Sequence, residues 1–271
     1  MPELPEVETT RRGVAPWVEG RVVRAVVVRH AGLRLPVPAE LGTRLVGHAV
    51  AGVRRRAKYL LFDMPGGGLL IHLGMSGSLR LVEKREPPGN HDHVDLDFGE
   101  RVLRYRDPRR FGLIVWQDGL ADDHPLLARL GPEPLDEVFD AAYLVRTTRG
   151  LRVPVKQAIM DGHRVVGVGN IYASESLFRA RIHPLQPAGE IGLRRYRRLV
   201  ESIRGTLTDA IAAGGSSLRD FVGGDGRPGY FQQQYFVYGR DGAPCRVCGT
   251  LLRRMVIGQR ASYWCPRCQR R

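Results

Sequence analysis

Lysine is nearly absent from this chain. Of 42 basic residues only Lys58, Lys84 and Lys156 are lysines, and all the others are arginines. Arginine stays protonated and cannot serve as an amine nucleophile, so amine chemistry is confined to three side chains and the N-terminus. Compositional drift would leave the same scarcity. Cysteine is missing from everything before Cys245, which excludes a disulfide framework over most of the sequence. No apolar run approaches the roughly 20 residues of a membrane span; Val22 to Val28, among the longest, is interrupted by Arg24. The start has neither the charged region nor the apolar core of a signal peptide. The expectation is a soluble intracellular protein with no membrane partner.

What is present is positive charge. The chain has 271 residues, 43% of them apolar, and a formal charge of +14 with a pI near 10.4. That length can bury a substantial core and suits two domains. The charge asks for a polyanionic partner, and nucleic acid is the obvious one, because each phosphate neutralised releases counterions. A generically basic surface would give the same balance. No heptad seam suggests self-association, and a monomer is expected.

The first residues are Met1-Pro2-Glu3. Removing the methionine leaves a proline secondary amine beside a carboxyl group. An α-amino group has a pKa of about 8 against about 10.4 for lysine, so roughly a tenth of it is free base at neutral pH. Attack by that amine on an aldehyde-like sugar carbon gives an iminium, an electron sink. The bland alternative is a small second residue after a removable methionine. Leu4-Pro5-Glu6-Val7-Glu8 reads as a helix start, with Pro5 in the first turn, acidic residues at the positive end of the dipole and Gly13 as the stop.

All four cysteines fall near the other end, as Cys245-x2-Cys248, a sixteen-residue interval, and Cys265-x2-Cys268. Two such corners joined by a hairpin close a tetrahedral zinc site, and four thiolates leave no open position, so the metal is structural. Disulfides are the competing reading. The hairpin tip, Leu251 to Ser262, carries Arg253, Arg254 and Arg260.

Between these ends the pattern is first β and then α. Short runs at Arg21 to Arg29, Ala49 to Arg55, Tyr59 to Met64, Gly68 to His72, Ser78 to Val82, His93 to Phe98, Arg101 to Tyr105 and Leu113 to Trp116 predict a β-sandwich or barrel. A turn-rich linker is expected around residues 121–135. Helices are predicted over Val155 to Met160, Ile171 to Phe178 and Leu193 to Ala213. Asn170 follows Val166-Gly-Val-Gly169, a plausible phosphate clamp at a helix N-terminus or simply an N-cap.

Met1-Pro-Glu-Leu-Pro-Glu-Val-Glu8, Arg55-Arg-Ala-Lys-Tyr-Leu60, His72-Leu-Gly-Met-Ser-Gly-Ser78, His91-Asp-His-Val-Asp95, Asp107-Pro-Arg-Arg-Phe-Gly112, Val166 to Phe178 and the cysteine finger together span the chain. It closely resembles the bacterial formamidopyrimidine-DNA glycosylase family. The resemblance implies an α+β protein with an N-terminal β-sandwich, a helical domain with a helix-two-turns-helix motif, and a β-hairpin zinc finger. The expected bounds are 1–120, a linker at 121–135, 136–240 and 241–271.

By that resemblance the chain is a bifunctional base-excision-repair enzyme, a glycosylase and abasic-site lyase acting on damaged double-stranded DNA in the bacterial cytoplasm, at the nucleoid. Pro2 attacks the sugar carbon, expels the base and forms the iminium that drives strand cleavage by β,δ-elimination. Glu3 protonates the sugar oxygen as the ring opens, and Lys58 takes a proton-transfer or phosphate role. Met75, Arg109 and Phe111 match a trio that fills the hole left by the everted nucleotide. Apolar wedges and an arginine facing the orphaned base suit that task, although Met and Phe in β-rich sequence are more often core. His91, Lys156, Asn170 and Arg260 match phosphate-contacting positions, Arg260 with a late-elimination role. Arg152 is a looser match.

The stretch from Ser216 to Gly239, with its Gly223-Gly-Asp-Gly226 core, resembles the purine-recognising branch, and the complete trio favours it too. The expected substrates are 8-oxoguanine opposite cytosine and ring-opened formamidopyrimidines. The related Nei branch, acting on oxidised pyrimidines, and a non-catalytic zinc-ribbon DNA binder are the alternatives.

Overall fold

A computed structural model describes residues 2–216 and 231–270. They form two compact units, residues 2–128 with 211–216, and residues 129–210 with 231–270. The division between 128 and 129 falls inside the turn-rich stretch, which carries a 3-10 turn at Ala121–Asp123 and buries Ala121 and Leu127. The glycine-rich core at 223–226 lies outside the described residues.

The first unit opens with α1, Leu4–Val18, which runs through Gly13 instead of stopping there. Beyond Gly13 the helix buries Val14, Ala15 and Val18 in the same core as Val7. Each buried valine contributes about 1.5–3 kcal/mol, which outweighs the roughly 1 kcal/mol that glycine costs a helix. The chain turns at Gly20, whose φ is +74.

Eight strands follow: β1 Ala25–Val28, β2 Gly52–Arg56, β3 Tyr59–Met64, β4 Gly67–His72, β5 Ser78–Glu83, β6 Asp92–Asp97, β7 Arg101–Arg106 and β8 Leu113–Asp118. They make two antiparallel sheets, ordered β1-β6-β7-β5 and β2-β3-β4-β8. Leu79, Val94, Leu96, Leu103 and Tyr105 of the first sheet share one core with Leu60, Phe62, Leu69, Ile71 and Ile114 of the second. The predicted sandwich is therefore present. Its first strand is shorter than the expected run from Arg21, because Val22 bridges Ala49 and only Ala25–Val28 pairs with β6. A five-residue helix, α2 at Leu41–Leu45, was not legible because it buries only those two end residues.

The second unit is helical: α3 Ala141–Thr148, α4 Val155–Met160, α5 Asn170–Arg179 and α6 Leu193–Ala212. Three of these match predicted helices to within a residue. The unpredicted α3 starts at Asp140, whose side chain accepts the Tyr143 N–H at 2.6 Å. A hairpin of β9, Arg253–Ile257, and β10, Arg260–Trp264, completes the unit and packs on α5.

Candidate functional site

In the first unit, Pro2 is buried and Glu3, only 2% exposed, is the N-cap of α1. A capping box follows, in which the Glu3 main-chain N–H donates to the Glu6 carboxylate at 2.8 Å. The other oxygen of Glu6 accepts the Ser216 N–H at 2.8 Å. Gly215 passes this carboxylate with φ +78, and a Cβ there would lie 3.2 Å from Glu6 Cγ. One fully buried carboxylate thus holds both the start of the chain and residue 216.

Two residues on, Glu8 accepts hydrogen bonds from Arg11, Arg12 and Arg55. Burial alone would raise its carboxyl, but the hydrogen bonds from Arg11 and Arg12 and the charges of Arg11 and Arg55 hold it below the usual range. Arg55 also donates to the carbonyl of Ala57 at 3.0 Å. Ala57 has φ 56 and with Lys58 makes the turn between β2 and β3. A continuous link therefore runs from α1 to the peptide preceding Lys58. The other two lysines are engaged elsewhere, Lys84 with Asp97 at 2.8 Å and Lys156 in the second unit.

His72 closes β4 beside this turn, its ring 4.8 Å from that of Tyr59. Its Nδ1 accepts the Gly74 N–H at 3.0 Å, which fixes the tautomer with the proton on Nε2. Burial first, then the charges of Lys58 and Arg34, lower its pKa to about 4. Because the folded value lies below the unfolded one, this stability is complete above pH ~6.5 and is lost as pH falls toward 4. It amounts to at most ~3 kcal/mol. Urea unfolding at several pH values is expected to show His72→Gln less sensitive than the parent between pH 6.5 and 4.5; identical pH profiles would contradict the assignment.

Met75 follows β4, while Arg109 and Phe111 precede β8. Met75 is 40% and Phe111 46% exposed, so they are not core residues. The Arg109 guanidinium lies 4.7 Å over the Phe111 ring. His91 is exposed at a cleft of about 440 Å³ that Arg29, His30 and Arg110 also line.

In the second unit, Lys156 is 1% exposed. Its ammonium donates to Asn170 Oδ1 at 2.6 Å, Ser262 Oγ at 2.6 Å and the Ala261 carbonyl at 3.2 Å. Asn170 in turn donates to the Ala261 carbonyl at 3.0 Å. Asn170 is the first residue of α5, whose N-cap is Gly169, so the capping alternative fails. Arg260 opens β10 and is exposed, and Arg152 is exposed ahead of α4. Glu175, pushed up by burial, accepts the N–H groups of Phe236, Val237 and Tyr238.

The four cysteine sulfurs lie within 4.8 Å of one another. Cys248 and Cys265 are 3.5 Å apart and Cys245 and Cys268 4.0 Å. A disulfide needs about 2.05 Å. Ligands at about 2.3 Å in a tetrahedron stand roughly 3.8 Å apart. The set fits one structural zinc ion.

Residues 1–114 match the formamidopyrimidine-DNA glycosylase N-terminal domain, 130–222 the H2TH domain of the same proteins, and 242–271 the zinc finger found in FPG and IleRS. The chain belongs to the formamidopyrimidine-DNA glycosylase family. The formamidopyrimidine-DNA glycosylase of Aromatoleum aromaticum is 66% identical over 271 residues, covering all of both chains. The crystal structure of MutM (FPG) from Thermus thermophilus superposes with a TM-score of 0.89 at 40% identity, covering 99% of this chain and 98% of that one. A Lactococcus lactis FPG mutant, G226P, in complex with Fapy-dG containing DNA gives 0.92 at 32% identity, with complete coverage of both. Among the described residues no helix is long and apolar enough to cross a membrane.

In this member of the formamidopyrimidine-DNA glycosylase family, sequence reasoning treated Glu6 as a dipole-facing carboxylate and gave His72 and Asp107 no role of their own. The signal for Glu6 was available, since Glu3-x-x-Glu6 has capping-box spacing. His72 and Asp107 sit inside recognisable motifs, but Tyr59 beside the one and Ser76 bonded to the other come from other parts of the chain.

Proposed function

We propose that Pro2, after loss of Met1, is the nucleophile of this DNA repair glycosylase, which also cleaves abasic sites. The observation that supports it most is the Glu3–Glu6 capping box, which fixes the residue beside Pro2 at the head of a buried helix. The Pro2 nitrogen bonds to C1′, the bond from C1′ to the base breaks, and the base departs as the neutral molecule with the proton that the Pro2 nitrogen gives up. Glu3 delivers a proton to the ring oxygen as the ring opens to the iminium. Loss of a C2′ proton then expels the 3′ phosphate, and a second elimination expels the 5′ phosphate. Lys58 serves proton transfer or a phosphate, and Arg260 the late elimination.

Met75, Arg109 and Phe111 fill the vacated stack. His91, Asn170, Arg152 and Lys156 serve the DNA backbone, Lys156 by holding Asn170 and the hairpin. The protein acts as a monomer, at the nucleoid, with 1–120 as the catalytic part, 121–135 as linker, 136–240 as the helical part and 241–271 as the finger. Its substrates are 8-oxoguanine opposite cytosine and formamidopyrimidines; the Lactococcus neighbour bound to Fapy-dG DNA supports the second.

The test is borohydride trapping of untagged, processed protein on a duplex with one 8-oxoguanine opposite cytosine, followed by peptide mapping. The expected adduct is on Pro2. An adduct on Lys58 would reassign the nucleophile. Tight binding without any adduct would point to oxidised pyrimidines and, if those also fail, to a DNA-binding protein that does not cut.

A further inference from the structure

Met75 and the pair Arg109 and Phe111 lie on two loops, β4–β5 and β7–β8. What joins the loops is Asp107, which is 0% exposed. Its Oδ1 accepts the Ser76 hydroxyl at 2.7 Å and the Arg109 N–H at 3.3 Å. Its Oδ2 accepts the Gly112 N–H at 2.9 Å and the Tyr105 hydroxyl at 3.3 Å. Ser76 Oγ itself accepts the Arg109 N–H at 3.2 Å. The Asp107 carbonyl meets His93 Nε2 at 2.8 Å, and its N–H donates to the His91 carbonyl at 3.0 Å.

Among the described residues, every hydrogen bond to this carboxylate comes from a neutral donor. Burying a charge without a bonded cation is costly unless its lone pairs are filled, and here four donors fill them. Burial foremost, and then the neighbouring carboxylate, push the Tyr105 phenol upward, so it remains a donor. The loops also meet without spare room. A Cβ on Gly112 would overlap the Tyr105 hydroxyl, and one on Gly74, whose φ is +63, would overlap the Phe111–Gly112 peptide. An asparagine could not replace Asp107 without loss, because its NH2 would face either the Arg109 N–H or the Gly112 N–H, and neither main-chain donor can accept.

We infer that Asp107 is the positioning residue that sets the register of the two loops, and so the placement of Met75, Arg109 and Phe111 in the duplex. Residues on either side of it bind DNA under the function proposed above, and the inference rests on that reading. Asp107 touches no substrate. It acts through the Arg109 and Gly112 main chain and through Ser76, next to Met75.

The test compares Asp107→Asn and Ser76→Ala with the parent in two assays. The first follows 2-aminopurine fluorescence beside an uncleavable tetrahydrofuran site, which reports wedge insertion. The second takes the kcat/KM ratio for 8-oxoguanine opposite cytosine over that opposite adenine, which reports how Arg109 reads the partner base. Displacement by about 1 Å can cost about 100-fold in rate, and that is the loss expected for Asp107→Asn opposite cytosine, with a collapsed partner preference and a weakened fluorescence rise. Ser76→Ala, which removes one hydroxyl, should lose about tenfold in the same pattern.

Equal losses opposite every partner base, tracking a fall in Tm, with an unchanged fluorescence rise, would make Asp107 a fold-stabilising residue only and overturn the inference. Unchanged behaviour of both variants would overturn it as well. If the parent excises nothing, the functional reading fails on its own, and the fluorescence assay still decides the role of Asp107.

Discussion

If Pro2 is the nucleophile, as proposed, a chain carrying one extra residue ahead of it is expected to form no borohydride adduct and to lose at least about a thousandfold in excision, by comparison with nucleophile removal in other enzymes. The cause is electronic before it is steric. In an amide the proline nitrogen gives its lone pair to the carbonyl, and no environment restores a useful amine. Of the three lysines two are engaged: Lys84 is paired with Asp97, and Lys156 is buried and bonded to Asn170, Ser262 and the Ala261 carbonyl. The measurement is trapping and single-turnover excision with extended and processed protein side by side, with DNA affinity as the control. Affinity should change less than about threefold, because phosphate contacts dominate it. Full activity in the extended chain, with the adduct mapped to Lys58, would move the chemistry to the β2–β3 turn.

Cys265→Ser is expected to weaken binding to lesion DNA by about 100-fold, because the phosphate contacts carried by the hairpin are lost, while saturating protein still yields the Pro2 adduct. Cys265 is 0% exposed and shares a small cluster with Phe178, Val237 and Leu252. With the metal gone, four sulfurs within 4.8 Å lose what holds them, and the exposed arginines of β9 and β10 lose their scaffold. Titration of duplex against the variant and against chelator-treated parent is the measurement. Normal binding with failed cleavage would contradict a purely structural zinc.

Much of this was legible because it is local. Cysteine spacing announced the metal site, and alternating apolar residues placed β3 to β8 nearly to the residue. The motifs carried the candidate residues. What was not legible depends on tertiary partners. Gly13 signals a stop only if nothing beyond it is buried, and Val14 and Val18 decide otherwise from the far side of a core. Lys156 reads as a phosphate contact in a basic sequence, yet Ser262, 106 positions away, takes one of its donors. Met75 and Phe111 would have passed as core residues on pattern alone; their exposure comes from two glycines and one aspartate that let loops cross.

Glu6 reaches partners at very different distances along the chain. Its two oxygens fasten Glu3 and Ser216, residues whose separation from the carboxylate is 3 in one direction of the chain and 210 in the other. The neighbour of the proposed nucleophile and the root of the segment read as lesion-recognising are therefore moored to a single post. Shortening that post by one methylene, as in Glu6→Asp, slackens both lines at once, so errors in catalysis and in substrate choice should arrive together.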